Sequence, residues 1–531
     1  MWGLSILPIA ALAALPCGNA VTLHKRDEPA IFELPIAKSE RSQVLVKRDS
    51  KVASTALYNV QNFYYMVNIT IGTPAQKVSL SLDTGSSDIW VNVPNSTYCA
   101  ADDDPCSSTG LFHIKDSSTF KMLDYEMNAT YVSGFLAAGP YVTDKLVIGD
   151  ATVKDMEFAL ANESKNPRKF DPPPRIIEFF DSISEKDNIW LMIGISGTDG
   201  ILGIGYASGT DAAANLGKEY ANLPEALVKS GAIKSAAYSL WLNKFDGTGN
   251  LLFGGVNKAR YQGELQTVPI VPVYGRYSSL TIALTDLSVK NTDGTKSYKT
   301  GLPLAVTLDN GSPLIALPKE LVDPIFKEVG VGYSRADSYP YIPCNMKKAD
   351  YNVTFSFSGA TVSIPLKELI FENYAEADFP EGTCIFGITY SDPGVNLMGD
   401  TFLRSAYVVY DLANNEISLA NTDYDGGDDD IYEIGTGTAP VPDATLVPTA
   451  ITSATGNGPN QTDTPSGSLS SESGETTAYV TATATATGTA TGTTENGGAS
   501  STSSKGLAAF SMGKPNHLLS GFLGAGLLLA V

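Results

Sequence analysis

At 531 residues the chain is too long for one hydrophobic core and suits two or three domains, and a hydrophobic content of 43% gives it apolar surface to bury. Its net charge of -21 and pI of about 4.6 argue against a nucleic-acid partner, because that binding rests on neutralising phosphates with Lys and Arg. An acidic surface suits cationic partners or an acidic medium.

Residues 1–20 contain an apolar run, Leu4 to Leu15, that ends in the small residues Gly18-Asn19-Ala20. This reads as a secretory signal cleaved after Ala20, although no Lys or Arg precedes the run. Two dibasic pairs follow, Lys25-Arg26 and Lys47-Arg48, of the kind that secretory-pathway processing enzymes cut. Residues 21–48 are therefore expected to be a propeptide, with the mature chain starting near Asp49. Of the five cysteines, Cys17 falls in the signal, leaving Cys99, Cys106, Cys344 and Cys384. An even remainder in an exported chain reads as two disulfides. Among the three possible pairings, Cys99 with Cys106 and Cys344 with Cys384 is the least costly. Glycosylation sequons at Asn68, Asn95, Asn128, Asn162, Asn352 and Asn460 agree with export. Asn310-Gly311-Ser312 is formally another, but Pro313 disfavours its modification.

Between Tyr58 and Leu82 the pattern is strand-like: Tyr64, Met66, Asn68 and Thr70 alternate with Tyr65, Val67 and Ile69 before a Gly72-Thr73-Pro74 turn. The alternating strand Val78-Ser79-Leu80-Ser81-Leu82 then runs straight into Asp83-Thr84-Gly85-Ser86. Residues 162–196, with Pro172-Pro173-Pro174, read as an inserted loop. It ends at Gly200-Ile201-Leu202-Gly203, which has a later counterpart in Asn396-Leu397-Met398-Gly399. Each places apolar side chains and a glycine where one backbone must pass close to another. A short helix is expected from Leu223, a strand over Tyr238 to Leu242, and another around Leu251 to Val256. The second acid-bearing copy is Val306-Thr307-Leu308-Asp309-Asn310-Gly311-Ser312, again an apolar strand delivering a carboxylate to a turn that glycine lets bend sharply. Two such loops suggest two lobes meeting at two acids.

Strands at Tyr407 to Asp411 and Ile417 to Ala420 are expected to close the folded region near Asn421. Beyond it, Asp423 to Glu433 is acidic, and the following stretch is rich in Ser, Thr, Gly and Ala, with Thr-Ala repeats from Thr481 to Thr487. Such a tract cannot bury a core, so 422–504 reads as a disordered, O-glycosylated stalk. The terminal apolar run from Leu518 to Val531 is shorter than the roughly 20 residues a spanning helix needs. With the small-residue zone at Gly498 to Ser504 before it, 505–531 reads as a removed glycolipid-anchor signal.

Two carboxylates a hydrogen bond apart cannot both ionise, so they share one proton and act as an acid and a base. That suffices to hydrolyse a peptide bond with an activated water, without covalent intermediate, metal or cofactor. Elimination agrees. The histidines are His24, His113 and His517, and two of these lie in segments expected to be removed, so a Ser-His-Asp triad would rest on His113 alone.

The pattern hydrophobic-Asp-Thr-Gly-Ser followed by Ile89-Trp90-Val91, with its second Asp-x-Gly-Ser copy, resembles the pepsin family of aspartic proteases, and within it the yapsin-like branch. The resemblance implies a mainly β, bilobal fold with the active-site cleft between pseudo-symmetric lobes, here 49–236 and 237–421. It implies catalysis by Asp83 and Asp309, supported by Thr84, Gly85, Ser86, Gly311 and Ser312. Asn310 stands where the family has a hydroxyl. An amide is longer and planar, so the cross-loop bond is expected to rearrange or be lost there. Tyr131, with Ser133 and Gly134, resembles the hairpin flap that closes over substrate, with Val132 in place of glycine, and Trp90 would steady the tyrosine. The implied partners are peptide or protein substrates and, through the anchor, the outer face of the cell membrane or the wall. The expected molecule is a monomer that binds no nucleic acid. The competing expectation is a pepsin-fold wall glycoprotein that has lost catalysis and binds peptides or polysaccharide.

Overall fold

A computed structural model describes residues 64–456 apart from 101–105, 107–108, 132–134, 166–199, 245–248, 335–338 and 372–379, together with the strands at 32–35 and 57–60. The expected signal, most of the propeptide, the Pro-rich insertion, the Thr-Ala repeats, Asn460 and the anchor signal lie outside the described residues.

Alternating apolar residues dictate sheets, and the chain is mostly strand. In the first lobe a nine-stranded sheet contains Tyr64–Ile71, Gln76–Asp83, Ile201–Gly203, Ile89–Asn92, Ala151–Ala161, Leu136–Ile148 and Lys121–Thr130 in that spatial order. The second lobe has a five-stranded sheet in which Leu304–Leu308 lies between Thr281–Leu284 and Leu397–Met398. A seven-stranded sheet, centred on Ala237–Trp241, Ala406–Asp411 and Glu416–Thr422, draws on both halves of the chain. Its Tyr238, Leu240 and Val408 join the continuous apolar core of both lobes. Both expected disulfides form, Cys99–Cys106 and Cys344–Cys384. The expected propeptide contributes an edge strand, Phe32–Pro35, antiparallel to Asn250–Phe253.

The expected end of the folded region at Asn421 is corrected. Ile431–Glu433 pairs antiparallel with Gly255–Asn257, and Ala444–Leu446 pairs parallel with Leu265–Thr267. Ile434 and Val441 are buried against Trp241, Val256 and Tyr407. Composition misleads here because the acidic residues have basic partners. Asp429 pairs with Arg260, Asp443 with Lys258, and Glu433 with Lys234, while the Arg260 guanidinium stacks 4.6 Å from the Trp241 ring.

Of the sequons, Asn95 and Asn128 are exposed, and Asn68, Asn162 and Asn352 are half-buried. Asn310 is fully buried and closed to a glycan.

Candidate active site

Two strands of the same design bring the acids together. Gln76–Asp83 pairs parallel with Ile201–Gly203 through Ser81 to Asp83, and Leu304–Leu308 pairs parallel with Leu397–Met398 through Thr307 and Leu308. The paired glycine strands lock each acid-bearing loop from behind. Gly203 N donates to Asp88 O at 2.9 Å and Gly205 N to Ser86 O at 2.9 Å, while Asp309 N donates to Met398 O at 3.2 Å and Asp400 N to Ser312 O at 2.8 Å. A β-carbon on Gly203 would stand 2.5 Å from Asp88 O, so no larger residue fits the crossing.

The two loops then grip each other. Thr84 Oγ1 donates to Leu308 O at 2.9 Å and accepts from Asn310 N at 2.9 Å. From the other side, Asn310 Nδ2 donates to Leu82 O at 3.1 Å and Asn310 Oδ1 accepts from Thr84 N at 2.9 Å. The tie expected to rearrange or be lost at this amide is thus kept, with its two roles on separate atoms. A hydroxyl performs both roles on one atom, and the amide divides them between nitrogen and oxygen. Its extra length fits because each partner lies on a different backbone unit.

Asp83 and Asp309 are 3% and 7% exposed and lie close enough for the charge of Asp309 to act on Asp83. On each, the inner Oδ1 accepts a backbone amide, Gly85 N at 2.8 Å and Gly311 N at 2.8 Å. The outer Oδ2 accepts a hydroxyl, Ser86 Oγ at 2.5 Å and Ser312 Oγ at 2.8 Å. A β-carbon on Gly311 would stand 2.5 Å from Asp83 Oδ1, and one on Gly85 would overlap Asp309 Oδ1. Both glycines are thus required by close approach. Burial raises the affinity of both carboxyls for a proton, and for Asp83 the charge of Asp309 raises it further. Against burial, Ser312 and Gly311 favour the charged form of Asp309, as Ser86 and Gly85 favour that of Asp83. Two raised carboxyls so close titrate as a coupled pair.

The hairpin Lys121–Thr130 and Leu136–Ile148 carries Tyr131 at its tip, where Tyr131 N donates to Phe135 O at 2.8 Å. Trp90 Nε1 donates to Tyr131 Oη at 2.8 Å, and Phe135 stacks on the Trp90 ring at 5.7 Å. Trp90 is thus tied to the tyrosine, while Val132, Ser133 and Gly134 lie outside the described residues.

Sequence reasoning missed Asp88, five residues after Asp83 and 2% exposed. Its carboxylate accepts from Tyr141 Oη at 2.8 Å, Tyr220 Oη at 2.7 Å and Asp211 N at 2.7 Å. Asp211 in turn accepts from Asn128 N at 3.0 Å, so this buried cluster ties the end of the first acid loop to both strands of the hairpin. Burial pushes Asp88 up to about 6 against those three donors. The signal was a charged residue enclosed by Ser87 and Ile89-Trp90-Val91. Asp400 was missed too. It is wholly buried beside Arg404 with its carboxyl pushed well above the ordinary range.

Comparison with known proteins gives the same answer as the geometry. The model of the eukaryotic aspartyl protease family matches residues 64–422. The probable aspartic-type endopeptidase opsB of Aspergillus oryzae is 41% identical over 85% of this chain and 88% of its own length. The aspartic proteinase yapsin-3 of Saccharomyces cerevisiae is 32% identical over 76% of this chain and 75% of its own, and MKC7 of the same yeast is 27% identical over 79% of each. The chain belongs to the eukaryotic aspartyl protease family and, within it, to the yapsin-like aspartic-type endopeptidases.

Proposed function

We propose that the chain is a secreted aspartic endopeptidase, held at the outer face of the cell membrane by a glycolipid anchor, that cleaves peptide bonds at acidic pH with Asp83 and Asp309 as its acid/base pair. The observation that supports this reading is the crossing of the two loops, which brings two buried carboxyls together with each loop's glycine packed against the other's acid.

With Asp309 as the ionised member of the pair, its carboxylate takes a proton from a water lying between the acids as the water oxygen attacks the scissile carbonyl carbon. Asp83 gives its proton to the carbonyl oxygen, and a neutral tetrahedral diol results. As the diol collapses, Asp309 passes its proton to the leaving nitrogen and Asp83 recovers one from a diol hydroxyl, so the dyad is restored. Tyr131, held by Trp90, covers the substrate. The rival reading as a non-catalytic wall glycoprotein rested on Asn310 and Val132; the three hydrogen bonds that Asn310 makes to the opposite loop speak against the first, and Val132 lies outside the described residues.

The test is a pH profile of peptide cleavage on the matured full-length protein, with and without a statine-type inhibitor, beside Asp83→Asn and Asp309→Asn. Activity is expected in the acid range, blocked by inhibitor and reduced by more than about a thousandfold in either variant. The sign follows from the raised pair: activity falls as pH rises through the pKa at which Asp83 gives up the shared proton. An active Asp83→Asn protein would defeat the mechanism. Release of activity from cells by a glycolipid-specific phospholipase tests the anchor.

A further inference from the structure

The strand that delivers each catalytic acid needs partners along its whole length, and the two lobes meet this need in parallel ways. In the first lobe Ser81 N donates to Gly200 O at 3.0 Å, and two residues earlier Ser79 N donates to Thr109 O at 2.8 Å. In the second lobe Thr307 N donates to Asn396 O at 2.9 Å, and two residues earlier Ala305 N donates to Thr455 O at 2.8 Å. Ser79 and Ala305 each stand four residues before their aspartate. Thr109 is followed by Gly110 at φ +83°, Thr455 by Gly456 at φ +92°. A β-carbon on Gly110 would press on Lys77 O at 2.7 Å, and one on Gly456 would overlap the Leu304 side chain. The same Thr-Gly device therefore closes the same edge of both strands.

The two copies differ in origin. Thr109–Gly110 follows the small disulfide loop of Cys99–Cys106, inside the family's matched range. Thr455–Gly456 lies beyond that range, which ends at residue 422. Along the Leu304–Leu308 strand, Leu397–Met398 reaches Thr307 and Leu308 alone, so the edge of the strand's first half is left for the later segment. The handover is made by Asn396, whose Nδ2 donates to Ala305 O at 3.2 Å and Gly456 O at 2.6 Å. Thr455 adds its own bonds, from N and Oγ1 to Pro303 O at 3.2 Å each. The route to this point is pinned by Val447 N to Thr267 O at 2.9 Å and Ile451 N to Ser358 Oγ at 2.9 Å.

We propose that Thr455–Gly456 is a positioning element for Asp309: a C-terminal strap outside the family's matched domain completes the ladder of the strand that presents this carboxylate. The proposal rests on Asp309 being one of the catalytic pair. The catalytic unit then extends to Gly456, and a proteolytic event that freed an active enzyme from the cell surface would have to cut after that residue.

The experiment uses the matured full-length protein. Gly456→Val places a branched side chain where a positive φ and the Leu304 contact exclude one. Lys258→Ala, which removes a partly exposed ion pair to Asp443 elsewhere on the strap, is the control. With active sites counted by a tight-binding statine-type inhibitor, Gly456→Val is expected to lower kcat per site about tenfold, with KM within about twofold and the acid limb of the kcat profile displaced. Lys258→Ala is expected to match the parent. A Gly456→Val enzyme with kcat per site within about twofold and an unchanged pH profile overturns the proposal. Amide hydrogen exchange on the parent decides if that variant does not fold: Ala305 N–H is expected to be protected to the same degree as Ser79 N–H, and exchange at the rate of an unpaired amide overturns it. A parent that hydrolyses no peptide defeats the catalytic reading instead, and the exchange result still tells whether the strap closes the ladder.

Discussion

Replacing Asn310 by alanine removes two cross-loop hydrogen bonds at once, and their partners, Leu82 O and Thr84 N, belong to residues that are 0% and 1% exposed. Neither group can turn to water, and an unsatisfied buried donor or acceptor costs about 1–3 kcal/mol. The expected loss of stability is therefore about 2–6 kcal/mol by urea unfolding. The kinetic effect follows from position: Asn310 adjoins Asp309, and Leu82 and Thr84 flank Asp83, so slackening here moves both acids. Misplacement by about 1 Å costs about a hundredfold in rate, and kcat is expected to fall about 10–100-fold. Asn310→Asp sharpens the test. It keeps an acceptor for Thr84 N, loses the donor facing Leu82 O and adds a charge beside the dyad, so it should damage activity more than its near-identical shape suggests. An Asn310→Ala protein within about 0.5 kcal/mol of the parent's stability, and within about twofold in kcat, would refute this account of the grip.

Gly311→Ala puts a methyl group 2.5 Å from Asp83 Oδ1, and the measured kcat is expected to fall more than about a hundredfold even where circular dichroism shows a folded protein. Tyr131→Phe leaves Trp90 Nε1, on a residue that is 0% exposed, without its acceptor; kcat/KM is expected to fall with little loss of the dyad's own pH profile, and an unchanged kcat/KM would count against the tyrosine as substrate cover. Asp88 rises from its ordinary 3.8 to about 6 on folding, so its contribution to stability is fully present below about 3.8 and is lost as pH climbs through 6, about 3 kcal/mol in all. Urea unfolding of Asp88→Asn across that window should show a flatter pH dependence than the parent, whatever its absolute stability.

The acids were legible because their chemistry forces a short local pattern. A strand must end in a carboxylate, and a hydroxyl and a glycine must follow within three residues, so Asp83 to Ser86 and Asp309 to Ser312 stand out against any background. The paired glycine strands were legible for the same reason: Gly203 and Gly399 are fixed by backbones that touch. The disulfides followed from counting. Asp88 was not legible because its partners Tyr141 and Tyr220 lie 53 and 132 residues away. The strap was hidden differently, since a window rich in Thr, Asp and Gly looks the same whether or not Arg260, Lys258 and Lys234 await it. The helix Lys319–Val329 was within reach: Leu321, Val322, Ile325, Phe326 and Val329 are buried at helical spacing. Pro324 obscured it, because an interior proline removes a helix hydrogen bond.

What separates the two acids is smaller than what unites them. Each has one amide on Oδ1 and one hydroxyl on Oδ2, so the loops alone would leave the proton evenly shared. Burial raises both, and the glycine of each loop packs against the carboxyl of the other, Gly85 against Asp309 and Gly311 against Asp83. Asn310 and Thr84 differ in chemistry, yet they act on backbone groups rather than on the carboxyl oxygens. The assignment of acid and base should therefore survive Asn310→Thr, which makes the grip chemically symmetric while leaving the Gly85 amide in place. The kcat/KM profile of Asn310→Thr is expected to keep the parent's two limbs even where its amplitude changes, as threonine is shorter and must draw the loops together to reach Leu82 O. A displaced limb would mean that the grip residues themselves set the protonation of the pair.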